Sequence, residues 1–136
     1  MLIRVCKSKI HRATVTCANL DYVGSITIDQ ALIDASDLQP YQYVNITNVS
    51  NGAFWQTSVM PAPRGSGRIE LNGPPARHFQ PGDKVIILGE AYLEPSELEG
   101  LDQKIVIIEG SESEPDLAER NRRFRLLMHS EVRNPA

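Results

Sequence analysis

Short runs rich in β-branched and other apolar residues, punctuated by Gly, Pro and Asn, make up most of the chain and predict strands. Residues 2–6 and 13–17 read as the first two, with the basic stretch Lys7 to His11 between them, and residues 25–28 as a third. Asp29 is then a good N-cap for a helix over residues 30–35, which Leu38-Gln39-Pro40 ends. Residues 43–48 and 54–60 flank Asn51-Gly52, the strongest short hairpin signal, and pair antiparallel. Pro61, Pro63 and Gly65-Ser66-Gly67 form a loop before a short strand over residues 68–71, and Pro74-Pro75 forbids any strand after Asn72-Gly73. Pro81-Gly82-Asp83 turns the chain into residues 84–88, a continuous apolar run that reads as a central buried strand. A helical turn after Pro95 and a strand over residues 104–108 follow.

The pattern changes near the end. Residues 116–130 have helical composition with charges nearly all round, and Leu117, Phe124, Leu126, Leu127 and Met128 leave only a thin apolar stripe. This predicts a peripheral or partly disordered helix in a tail over residues 110–136. Six or seven short strands with Gly and Pro turns make a mainly β protein, a small barrel with short helices. At 136 residues and 41% hydrophobic content, residues 1–136 fit one domain with a modest core.

Charge removes several partners. The formal net charge is −3 and there is no basic run, whereas nucleic-acid binding leaves a basic footprint. Arg120, Arg122, Arg123 and Arg125 are interleaved with acids and read as a solvated face. The N-terminal residues break their apolar positions with charges, so no signal peptide or membrane span is predicted and the cytoplasm is the expected compartment. Cys6 and Cys17 lack metal-site spacing; free, small, buried apolar residues are expected, with no metal bound.

The candidate chemistry lies at Gly24-Ser25, before the run Ile26-Thr27-Ile28. With no Cβ on Gly24, its peptide can be strained so that the Ser25 hydroxyl reaches the Gly24 carbonyl. An N-to-O acyl shift gives an ester, elimination gives a dehydroalanine at position 25, and hydrolysis leaves an N-terminal pyruvoyl group. The dipeptide alone marks only a turn or bulge before a strand. Its surroundings are more specific: Lys9-Ile10-His11-Arg12 and Tyr22 upstream, then Asn51-Gly52, Thr57, Arg64-Gly65-Ser66-Gly67, Asn72-Gly73 and Pro81-Gly82-Asp83. In this order and spacing, residues 1 to about 92 closely resemble the pyruvoyl-dependent aspartate 1-decarboxylases.

The resemblance implies a double-psi β-barrel assembled as a homotetramer with sites between subunits. It also implies cleavage into residues 1–24 and 25–136, spontaneous or helped by a maturation partner, with a pyruvoyl cofactor made from Ser25. The activity implied is decarboxylation of L-aspartate to β-alanine, for pantothenate and coenzyme A. Thr57 matches the threonine that assists processing, and Asn72 the asparagine at the substrate pocket. Tyr22 and His11 match the side chains beside the cleavage site, and Lys9 a lysine that lines the active site.

Three positions depart from the pattern. Phe54 stands where the family has an arginine that grips the substrate carboxylate, and Ser58 where it has the tyrosine thought to reprotonate the carbanion. Pro74 and Pro75 replace alanines after Asn72-Gly73 and remove two N–H donors from the pocket rim. A lost bidentate ion pair weakens aspartate recognition by about one to two orders of magnitude. Restoring both side chains, by Phe54→Arg with Ser58→Tyr, should raise turnover by about 10-fold. Three functions follow: the family reaction, a decarboxylase retuned to a less acidic amino acid, or a non-catalytic barrel with a binding or scaffold role.

Overall fold

The computed structural model describes residues 1–128. The protein is mainly β, with strands β1 (Ile3–Thr14), β2 (Cys17–Asn19), β3 (Ser25–Asp29), β4 (Tyr43–Asn48), β5 (Phe54–Ala62), β6 (Ile69–Asn72), β7 (Lys84–Leu93), β8 (Lys104–Ile108) and β9 (Phe124–Leu126). Helix α1 spans Gln30–Ser36 and α2 spans Leu117–Arg122; Pro74–His78 and Pro95–Gly100 are 3₁₀ helices. The strand order is β2-β6-β3-β5-β4-β7-β1-β8-β9. Only Val15 and Thr16 separate β1 from β2, and they continue the pairing. Val15 N–H donates to Asp83 O and Thr16 N–H to Ile69 O, both at 2.8 Å. One run of chain therefore joins the β2 end of the order to β1, the seventh strand in it, and the sheet wraps into a small barrel.

The wrap follows from period-two alternation. Ile26 and Ile28, Val44 and Ile46, Ile69 and Leu71, and Val85 and Ile87 are all buried, while their strand neighbours turn outward. The expected hairpin is present, with β4 antiparallel to β5 and Gly52 at φ 73°. Asp29 caps α1 by accepting from Ala31 N at 2.8 Å, and its carboxylate also accepts from Gly65 N and Gly67 N. Gly67 has no alternative residue: at φ 68°, a Cβ there would lie 2.1 Å from Ala118 O.

Two expectations are corrected. Residues 2–6 and 13–17 are not two strands; β1 runs unbroken through the basic stretch, because Ser8 and Ile10 point into the barrel while Lys7, Lys9 and His11 alternate outward. Its irregularity is absorbed by register shifts between Cys6 and Ser8 and between Ile10 and Ala13, with Arg12 at φ 65°. The C-terminal helix is present but stops at Arg122, and Phe124–Leu126 pairs with β8 as an edge strand. Asn121 explains the stop. Fully buried, it accepts from Thr14 N at 2.8 Å and donates to Thr14 O and Gly67 O, which ties the segment to the barrel where a thin apolar stripe could not. Residues 129 and 130 of the expected helix lie outside the described residues.

Candidate active site

Four strands present their outward residues to one cavity of about 750 Å³. Cys17 and Asn19 come from β2, Glu70 and Asn72 from β6, Ser25 and Thr27 from β3, and Ser58 and Met60 from β5. Tyr22, Val23 and Gly24 close one end on the loop before β3. Alternation sends Ile26, Val59 and Leu71 inward as core and leaves the polar partners facing the cavity.

Register places the key groups. Ser25 stands opposite Asn72, and in the parallel β3–β5 pair Ile26 stands opposite Val59. Continuing that pairing back by one and two residues brings Ser25 level with Ser58 and Gly24 level with Thr57. Asn72 Nδ2 donates to Ser25 Oγ at 3.2 Å and to Thr27 Oγ1 at 3.0 Å. Ser25 is only 5% exposed. Its hydroxyl oxygen is thus held by an amide in a nearly dry strand position.

The close approach belongs to a different glycine from the one expected. Gly24 is not at positive φ, and a Cβ there would meet its nearest neighbours, Asn72 O and Trp55 Cζ2, at an ordinary 3.9 Å. Gly73, at φ 117°, would place a Cβ 3.0 Å from Gly24 Cα and 3.4 Å from Gly24 N. Its N–H donates to Asn19 O at 2.8 Å. Gly73 is therefore the residue whose missing side chain lets the Gly24 peptide pack down.

The other expected site residues do not line the cavity. Thr57 is buried on the inward face of β5, behind Ser58. Phe54 shares the outward face with Ser58 but is 66% exposed and four residues away, about 13 Å along a strand. Pro74 and Pro75 begin a 3₁₀ helix, where proline suits the first positions. Lys9 and His11 lie on β1, beside β8. They are neighbours, as the alternation requires. Burial chiefly, then the charges of Lys9 and Arg12, hold the His11 imidazole below its ordinary value near 6.5. His11 Nδ1 is buried with no hydrogen-bond partner.

Thr27 and Asn19 are the neighbours that the sequence motifs missed, and Trp55 lies beside Gly24. Thr27 was accessible by alternation, two residues on from Ser25; Asn19 and Trp55 come close only through pairing and packing. Cys17 is exposed and lines the cavity, and Cys6 is half-buried, so neither is the buried residue expected. Arg68, the one cationic side chain lining the cavity among the described residues, is gripped by both oxygens of Glu70 at 2.8 and 3.1 Å. Among the described residues, no group of three His, Cys, Asp or Glu could hold a metal, and no helix is long and apolar enough to cross a membrane.

Comparison with known proteins identifies the family of the chain. The aspartate decarboxylase family model matches residues 1–114. An aspartate 1-decarboxylase of Carboxydothermus hydrogenoformans is 51% identical over 109 residues, covering 80% of this chain and 86% of the relative. One from Pelotomaculum thermopropionicum is 48% identical over 110 residues, covering 81% and 83%. One from Leptospira biflexa is 45% identical over 118 residues, covering 87% of this chain and all of the relative.

Proposed function

Because this chain belongs to the aspartate decarboxylase family, we propose that it cleaves itself between Gly24 and Ser25 and then decarboxylates L-aspartate to β-alanine and CO₂. The observation that carries this reading is Ser25 Oγ held by Asn72 in the wall of a cavity, beside a Gly24 peptide packed against Gly73. The fold suits a nick at this bond. Residue 25 begins a strand paired on both sides, to β5 and β6, and residues 1–24 contain β1, paired to β7 and β8. Both fragments stay anchored after the bond breaks.

In the cleavage, Ser25 Oγ attacks the Gly24 carbonyl while Asn72 orients it, and Thr57, level with Gly24, supplies a hydroxyl for the developing oxyanion. Tyr22 lies on the loop that is cut. A pyruvoyl group made from Ser25 supplies the electron sink for losing CO₂ from the substrate α-carbon. Asn72 and Ser58 then face the bound amino acid from either side of residue 25. Lys9 and His11 complete the site from a second copy in a homo-oligomer, a tetramer, and this role accounts for an imidazole nitrogen left buried without a partner in one chain. Phe54 reaches a cavity by the same route. The enzyme works in the cytoplasm.

A second reading has one observation in its favour. Arg68 is neutralised by Glu70, and Met60, Pro61, Ala62 and Pro63 give the cavity an apolar wall, which suits a less acidic amino acid. The deciding experiment is intact mass on denatured protein, followed by CO₂ release from a panel of amino acids. Two fragments, 1–24 and 25–136, with CO₂ from aspartate support the proposal; CO₂ from another amino acid alone selects the second reading. A single uncleaved chain after prolonged incubation leaves the barrel as a binding or scaffold protein.

A further inference from the structure

A row of outward side chains crosses four strands at the level of the cleavage bond and continues past the cavity. Asn72 opposes Ser25, Ser25 is level with Ser58, and Ser58 opposes Tyr43 on β4. Directly opposed residues share a face, and adjacent strands lie about 4.8 Å apart, so Tyr43 stands about 10 Å from Ser25 with only a serine between them. Its level is also the close one. Val59 N–H donates to Gln42 O at 2.9 Å, which makes 42/59 a hydrogen-bonded level and 43/58 the next, non-hydrogen-bonded level, where opposed side chains approach most nearly.

The surroundings leave Tyr43 one open direction. On the β7 side, Glu90 is tied to Arg4 at 2.6 Å and to Asn45, and one step along the face Gln56 donates to Asn45 Oδ1 at 2.9 Å. Toward β3 there is only the short side chain of Ser58. Tyr43 is 69% exposed, and its hydroxyl has no hydrogen-bond partner among the described residues. Cross-strand neighbours as far as about 7–8 Å apart are within reach of an aromatic side chain, so the Tyr43 ring can lie over Ser58 and present its hydroxyl to a substrate held at residue 25.

We infer that Tyr43 is the acid that returns a proton to the substrate α-carbon, acting across the strand pair over Ser58. The step balances: the bond from the α-carbon to the carboxylate breaks and CO₂ leaves, the electron pair left behind takes the Tyr43 hydroxyl proton to form a C–H bond, and the phenolate recovers a proton from water. Tyr22 is the other phenol near residue 25, but it sits on the loop that the cleavage cuts, whereas Tyr43 is fixed on an intact strand. Asn72 already donates to Ser25 and Thr27.

The inference rests on the decarboxylase reading, and its test separates the two. Tyr43→Phe should self-cleave as the parent does, keep its KM, and lose about 100-fold in kcat, the usual contribution of a positioned general acid. Moving the phenol one strand over, with Tyr43→Ser and Ser58→Tyr together, should recover most of that loss. Independently of turnover, the Tyr43 ring-carbon resonance in ¹³C-tyrosine-labelled processed protein, assigned by its absence in Tyr43→Phe, should shift when β-alanine is added. A parent that turns over aspartate while Tyr43→Phe matches its kcat, or a Tyr43 resonance that β-alanine leaves unmoved, overturns this inference alone. An uncleaved parent that releases no CO₂ overturns both.

Discussion

Two walls of the barrel carry the residues of the expected site, and they differ in how finished they are. On the β3–β5–β6 wall, Ser25 and Asn72 are each 5% exposed and hydrogen-bonded to each other across the cavity floor. On the β1 wall, Lys9 forms no ion pair among the described residues, and the buried Nδ1 of His11 has no partner. A buried polar group without a partner costs about 1–3 kcal/mol, so it is the second wall that carries the unmet hydrogen-bonding demand. On the function proposed above, the first wall serves cleavage within one chain, and the second serves a site shared between copies.

The sharpest ways to break this comparison act on the finished wall. Thr57→Val removes a hydroxyl level with the Gly24 carbonyl and should slow cleavage by about 100-fold, since an oxyanion donor contributes roughly that much; timed denaturing gels measure it, and parental cleavage rates would mean the hydroxyl is idle. Gly73→Ala should slow cleavage by about 10-fold, because its Cβ arrives 3.0 Å from Gly24 Cα, whereas Gly24→Ala meets only ordinary contacts and should retain an intact fold. The reverse ranking, with Gly73→Ala cleaving normally, would place the critical close approach elsewhere.

The unfinished wall is tested by mixing. Ser25→Ala copies and Lys9→Ala copies, each inactive alone, should regain about a quarter of parental activity when refolded together one to one, as random pairing across shared sites requires. No recovery in a mixture shown by light scattering to be oligomeric would put Lys9 and Ser25 in the service of the same chain's site. Phe54→Arg should lower the KM for aspartate by about 10-fold, the return on a regained bidentate pair. With Tyr43 already supplying a phenol, Ser58→Tyr should add little to that gain.

The smallest effect is on stability. Because the His11 pKa is lowered in the folded chain, the unfolded chain binds its proton more readily, so His11 costs nothing above about pH 6.5 and destabilises as pH falls through that value. Thermal melts between about pH 7.5 and pH 5.5 should show a smaller loss of Tm in His11→Gln than in the parent. An equal loss in both would mean that the imidazole is satisfied in solution.

Local chemistry made much of this protein legible from its residues. Asn51-Gly52 determined a hairpin, Asp29 a helix start, and the alternation in β3, β4 and β6 determined which residues face the core, because turns, caps and strand faces depend on neighbours a few positions apart. The motifs around Gly24-Ser25 likewise marked the wall that holds Ser25 and Asn72. What only the tertiary structure decided depends on partners far away in the chain. Asn121 stops a helix by hydrogen bonding to Thr14 and Gly67, 107 and 54 residues away. Gly73, not Gly24, is the close-packed glycine, and Tyr43 joins the row of Ser25 only because β3, β5 and β4 lie side by side. Register between strands is set by the closing of the whole barrel core, and no single segment contains it.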